Sequence, residues 1–171
     1  MATEKQDIGA NAALDPKAIA KAIVGSLKMS DQERENADAI ADFLMAGGTI
    51  GDLNNFAPED YEVMYTVAHS FYEGGKYADA ALIFQYLCIN DPLTPRWWMG
   101  MGAAMQKQAR YPEAVNAYAH AMALDIDDPR PSLQGGYCLM MMGDQEKAKA
   151  ALEQCVLTSK RKKEHAGYGK Q

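Results

Sequence analysis

The side chains best equipped for covalent or metal chemistry in this chain are few and scattered. Cys88, Cys138 and Cys155 stand far apart in apolar, helix-like surroundings and fit no metal-ligand spacing. They read as packing residues of a protein kept in a reduced compartment. His69 has no Cys, Asp or second His at ligand spacing, so neither a metal site nor a general base is built around it. No glycine-rich phosphate loop is present, so neither a nucleotide nor another cofactor is expected. What the chain does offer is a recurring set of tyrosines and methionines, whose chemistry is apolar contact. Aromatic rings bury much area at small entropic cost, and methionine repacks around varied shapes. The expectation is a binding protein, not an enzyme, without metal.

Composition sets the frame for those residues. At 171 residues, 48% apolar and 23% charged, the chain has the make-up of one globular domain that buries a core without disulfides or metal. The net charge is −6, and the stretch from Lys160 onward carries five basic residues and one acidic, leaving −10 on the remainder. Nucleic acid is therefore not the expected partner, because phosphate binding needs clustered Lys and Arg. No run of 18 apolar residues and no signal-peptide pattern occurs, so stable membrane association is not expected and a cytoplasmic location is.

The elements that position the tyrosines and methionines come from an internal repeat. Ala68, Gly102 and Gly136 lie 34 residues apart, as do Gly75, Ala109 and Gly143, and Ala80, Ala114 and Ala148. Phe84, Tyr118 and Leu152 keep the interval, and so do Leu87, Ala121 and Cys155. Small residues let two helices approach, large ones fill the space beside them, and Gly75, Ala109 and Gly143 mark the turns. Three units, about 61–94, 95–128 and 129–162, thus resemble tetratricopeptide repeats, which implies an all-α fold of three tandem helix hairpins. Trp98 falls in the repeat's core column and Trp97 nearer the edge. Ala109 stands where a glycine is usual, at a cost if its φ is positive.

Upstream, Asp15-Pro16 starts a helix with an Ile19, Ile23, Leu27 stripe. Ser30 to Glu33 reads as a capping box for the next helix, which carries Ala37, Ile40, Ala41, Phe43 and Leu44 and stops at Gly47-Gly48. Residues 49–53 form a short helical turn before Pro58. The expected organisation is a disordered 1–14, N-terminal helices over 15–57, a three-repeat domain over 58–160 and a disordered basic tail over 161–171.

Stacked repeats of this kind line a concave face with their first helices. The inward positions of each first helix are the second, fifth, ninth, twelfth and thirteenth. They hold Glu62, Tyr65, His69, Tyr72 and Glu73, then Arg96, Met99, Ala103, Gln106 and Lys107, then Arg130, Leu133, Tyr137, Met140 and Met141. The candidate peptide-binding groove is Tyr65, His69, Tyr72, Met99, Ala103, Gln106, Leu133, Tyr137 and Met140. No clamp for the acidic tail of a heat-shock protein can be assembled, since its Lys and Asn positions hold aromatic and apolar residues. The groove suits apolar side chains of an extended peptide.

A narrower resemblance lies in specific stretches. Phe43 to Asn54 (FLMAGGTIGDLN), Tyr65 to Asp91, Trp98 to Gly102 (WMGMG) and Ala123 to Pro131 (ALDIDDPRP) are similar to the class II chaperones of bacterial type III secretion, the SycD/LcrH, IpgC and SicA family. The match spans about residues 37 to 158. The resemblance implies a chaperone of the bacterial cytosol that keeps hydrophobic pore-forming translocators soluble, apart and competent for secretion. It implies a groove for an extended Pro-x-Leu-x-x-Pro-like segment, at positions matching Tyr65, His69, Tyr72, Met99, Ala103, Leu133 and Tyr137. It also implies a homodimer through the N-terminal helices, here 31–46, with Ile40, Phe43 and Leu44 as candidates; the first thirty or so residues do not match. The alternative is a generic repeat scaffold or co-chaperone.

Overall fold

Each 34-residue unit becomes a pair of helices joined by a three-residue turn. The structure, a computed structural model, describes residues 30–168. The segment 1–14, the helix with Ile19, Ile23 and Leu27, and residues 169–171 lie outside the described residues. All described secondary structure is helical: α1 (Asp31–Met45), α2 (Ile50–Leu53), α3 (Pro58–Glu73), α4 (Tyr77–Asn90), α5 (Pro95–Lys107), α6 (Tyr111–Leu124), α7 (Arg130–Met141) and α8 (Gln145–Tyr168).

Two compact units divide at Gly48. In the first, α1 begins directly after Ser30 and stops where Gly47 turns to φ +95°. Ile40 and Phe43 are exposed on it; the side chain of Leu44 lies outside the described ones. Phe43 covers Gly48, where an added Cβ would sit 2.3 Å from its ring.

The second unit begins with a reciprocal cap. Thr49 Oγ1 accepts from the Asp52 amide at 3.1 Å, and the Thr49 amide donates to Asp52 Oδ2 at 2.7 Å. That amide, together with the Thr49 hydroxyl donating to Asp52 Oδ2 at 2.8 Å, holds the Asp52 carboxyl below the ordinary carboxylate range. Proline at the first position pre-sets α3 and α5, where its missing N–H is not needed.

The three hairpin turns share one geometry. Lys76 donates to the Phe71 carbonyl at 2.8 Å, Arg110 to Met105 at 3.0 Å, and Asp144 to Leu139 at 3.0 Å. Each bond closes over a left-handed residue, Gly75 (φ +76°), Ala109 (φ +57°) or Gly143 (φ +81°). Ala109 therefore does hold the strained conformation anticipated from its column. The core is the set of small residues and what fills beside them: Ala68, Ala80, Ala114, Phe84, Tyr118 and Leu87 are all buried. An added Cβ on Gly102 would stand 2.7 Å from the Tyr118 ring, so the α5–α6 approach requires glycine there.

Two expectations are corrected. Trp97, not Trp98, is the core indole: it is 4% exposed, stacks on Tyr61 at 6.3 Å and donates from Nε1 to Asp91 Oδ2 at 2.9 Å. Trp98 is half-buried, stacks on His120 at 4.4 Å and donates to the Pro92 carbonyl at 2.8 Å. The second correction is at the C-terminus, where α8 runs through the basic run of 160–163 to Tyr168 and does not end in a disordered tail from residue 161. Cations near a helix C-terminus interact favourably with the helix dipole. Arg161 is also tied to Asp127 at 2.8 Å and to the Ile126 carbonyl at 2.5 Å.

Candidate peptide-binding groove

The first helices of the repeats place the anticipated residues unequally. Residues four or so apart lie on one face of a helix, so α3 presents Tyr65, His69 and Tyr72 together and α5 presents Met99 and Ala103. These five line one concavity of about 340 Å³, with Phe84 and Gly100 beneath them. Tyr65 is held edge-on against Phe84 at 5.8 Å and lies 5.5 Å from Trp97. His69 tilts on Tyr65 at 6.0 Å, with Nε2 3.8 Å from Glu73 Oε1. Tyr72 is braced edge-on by Tyr77 at 5.4 Å. Small Ala103 leaves the space between these larger neighbours.

The other four anticipated residues lie elsewhere. Gln106 accepts a 2.6 Å hydrogen bond from the Tyr118 hydroxyl, which commits its carbonyl oxygen to the core. Burial pushes that Tyr118 phenol well above its ordinary value. Leu133 and Tyr137 on α7 are exposed but are not among the lining of the concavity. Met140 lines a separate cavity of about 740 Å³ with Leu152, Val156 and Leu157 of α8.

The concavity also holds charge that an apolar reading underweights. The Arg96 guanidinium lies 3.5 Å above the Tyr65 ring and bonds Glu62 through both carboxylate oxygens, at 2.8 and 3.0 Å. Arg130 bonds the buried Asp128 at 2.6 Å, and holds that carboxyl below the ordinary range. Both arginines occupy the second position of their repeats, so the signal was present in the register. The contact of Phe84 with Gly100 carried no sequence signal at all.

Burial, then the charge of Asp91, pushes the Cys88 thiol up to about 12, and burial raises that of Cys138. Both are buried and held as unreactive thiols. No group of three or more His, Cys, Asp or Glu able to hold a metal occurs among the described residues.

Comparison with known proteins agrees with this architecture. Residues 62–92 and 133–158 each match a tetratricopeptide repeat family. The low calcium response locus protein H of Yersinia pestis is 35% identical over 114 residues, covering 67% of this chain and 68% of that protein. The chaperone protein SicA of Salmonella typhimurium is 31% identical over 121 residues, covering 71% and 73%. The type III secretion translocator chaperone SycD of Yersinia enterocolitica superposes with a TM-score of 0.62 at 32% identity, over 65% of this chain and 83% of that one. SycD solved with a peptide of the translocator YopD gives a TM-score of 0.58 at 30% identity, over 60% and 78%. Shared repeats, shared length of match and shared identity place it with them: the chain belongs to the LcrH/SycD/SicA family of class II type III secretion chaperones.

Proposed function

We propose that this chain binds hydrophobic translocator proteins of a type III secretion system and keeps them soluble, apart and ready for export. The observation that carries the reading is the open concavity of Tyr65, His69, Tyr72, Met99 and Ala103, a preformed apolar surface with a charged rim. SycD, which shares the fold, has been captured with a peptide of a translocator. A translocator exposes helices meant for a membrane, and these aggregate unless an apolar segment is masked. Each side chain seated on the aromatic surface contributes about 1.5–3 kcal/mol before ordering costs. The relatives are chaperones, and the work here is equilibrium binding.

The partner segment is extended and of Pro-x-Leu-x-x-Pro type, with Leu133 and Tyr137 continuing the surface on α7. The free chaperone pairs with a second copy through α1. The site of action is the bacterial cytosol; no described helix is long and apolar enough to cross a membrane. Co-expression with a hydrophobic translocator tests the function. The chaperone should move the translocator into the soluble fraction, and Tyr65→Ala with Tyr72→Ala should lose that effect while keeping its helical circular-dichroism signal. No solubility gain with the wild-type chain would sink the proposal. A collapse of the fold in the double variant would make both tyrosines core residues.

A further inference from the structure

On a different part of the repeat array, α6, α7 and α8 line an open apolar pocket of about 280 Å³. Tyr118 and Met122 of α6, Ser132, Gly135 and Leu139 of α7, and Ala151 of α8 are among its walls. It shares no lining residue with the concavity around Tyr65.

The repeat register explains why this space is open. Pro131, Ser132, Gly135 and Leu139 stand 34 residues after Trp97, Trp98, Met101 and Met105. At that earlier junction, Trp97, Met101 and Met105 are buried, and Trp98 stacks on His120. Two indoles and two thioethers there give way here to a proline, a serine, a glycine and a leucine. His120 corresponds to Gln154, which lines the pocket. The walls are satisfied without a guest polar group, since the Ser132 hydroxyl already donates to Met122 Sδ at 3.2 Å. Gly135 has room: a Cβ added to it would meet only Tyr118 Cβ, at 3.8 Å. An apolar pocket of this kind, bordered by the exposed Ala119, Ala150 and Gln154, leaves its lining short of dispersion partners.

We propose that this pocket is a second binding site, which takes one indole or aryl side chain of a polypeptide partner. The guest supplies in trans what Trp98 and Met101 supply within the chain one repeat earlier. No charged residue lines the pocket, so a charged guest would lose its hydration without a partner. An aromatic guest loses nothing comparable, and the Gln154 carbonyl offers an acceptor for an indole N–H.

The test titrates N-acetyl-L-tryptophanamide into the full chain carrying ¹³C-methyl methionine. A saturable shift of the Met122 methyl is expected, with none from N-acetyl-L-alaninamide. Gly135→Met restores the pattern of the earlier junction and should abolish the shift while leaving the circular-dichroism signal unchanged. Should that variant fail to fold, Ala151→Leu fills the pocket from the opposite wall. Tyr65→Ala with Tyr72→Ala should leave the shift intact, which separates this site from the groove. Retention of a co-expressed hydrophobic translocator should fall about tenfold or more in the filled variant, as loss of a buried aromatic anchor does. No Met122 shift at the solubility limit of the probe overturns the proposal, and so does an equal shift in the filled variants. A shift with unchanged translocator retention overturns the polypeptide guest in favour of a small aromatic ligand. A wild-type chain that retains no translocator counts against the proposed function, and the probe titration still judges this pocket.

Discussion

Ala109 stands at φ +57°, where its two counterparts in the array are glycines at +76° and +81°. A Cβ in that conformation meets the following carbonyl, at a cost of about 1 kcal/mol. Ala109→Gly should therefore raise stability by about 0.5–1 kcal/mol in urea unfolding, part of the gain being offset by the freer unfolded chain. An unchanged midpoint would mean that the turn relaxes around alanine. Asp128 makes a second residue-scale case. Its carboxylate takes the Arg130 guanidinium at 2.9 and 2.6 Å and the Arg130 amide at 3.0 Å, and its pKa is held down by these bonds. A depressed carboxyl contributes stability above its unfolded pKa and loses it as pH falls through the folded value. Asp128→Asn should thus cost about 1 kcal/mol at neutral pH, and the gap to wild type should close as pH drops below the carboxylate range. A gap that stays constant with pH would place the effect in packing. The turn at Ala109 was legible because three aligned positions expose the odd one. The two tryptophans were not: adjacent residues differ by a large helical rotation, and only the partners Tyr61 and Asp91 decide that Trp97 goes inward.

At the scale of helices, close approach is set by glycine. Gly102 faces the Tyr118 ring with no space for a Cβ. Gly102→Ala should lower stability by about 1–3 kcal/mol by overpacking, and Gly102→Leu should unfold the second repeat. Thermal melts followed by circular dichroism check both, and a tolerated leucine would show that α5 and α6 can spread. Helix limits were legible wherever a repeat column marked them. The exception is α8, where four consecutive cations read as a terminus. That reading weighed local repulsion, and missed a partner for Arg161 in Asp127, 34 residues earlier on the loop between α6 and α7.

For the molecule as a whole, the candidate groove was legible as a helix face, and the concavity within that face only in part. The register assigned Tyr65, His69, Tyr72, Met99 and Ala103 to one surface, and they do share a concavity. It could not show that Gln106 is drawn to the Tyr118 hydroxyl, or that Met140 lines another cavity. Those outcomes depend on contacts between helices that share no position in the repeat. The proposed self-association belongs to the same scale. Ile40 and Phe43 expose apolar surface on α1, and a charge at either desolvates badly in an interface. Phe43→Glu, and independently Ile40→Glu, should shift sedimentation toward the monomer. No shift in either would move the dimer contact off α1.

The two indoles of α5 sit back to back in the sequence and in unlike surroundings, one under Tyr65 and the other on His120. They are the only tryptophans in the chain. The protein consequently carries two native optical reporters on a single helix. Emission from Trp97 follows what happens at the tyrosine surface, and emission from Trp98 follows its stacking contact with His120. Replacing either with phenylalanine isolates the other, so occupancy can be followed by light without attaching a dye.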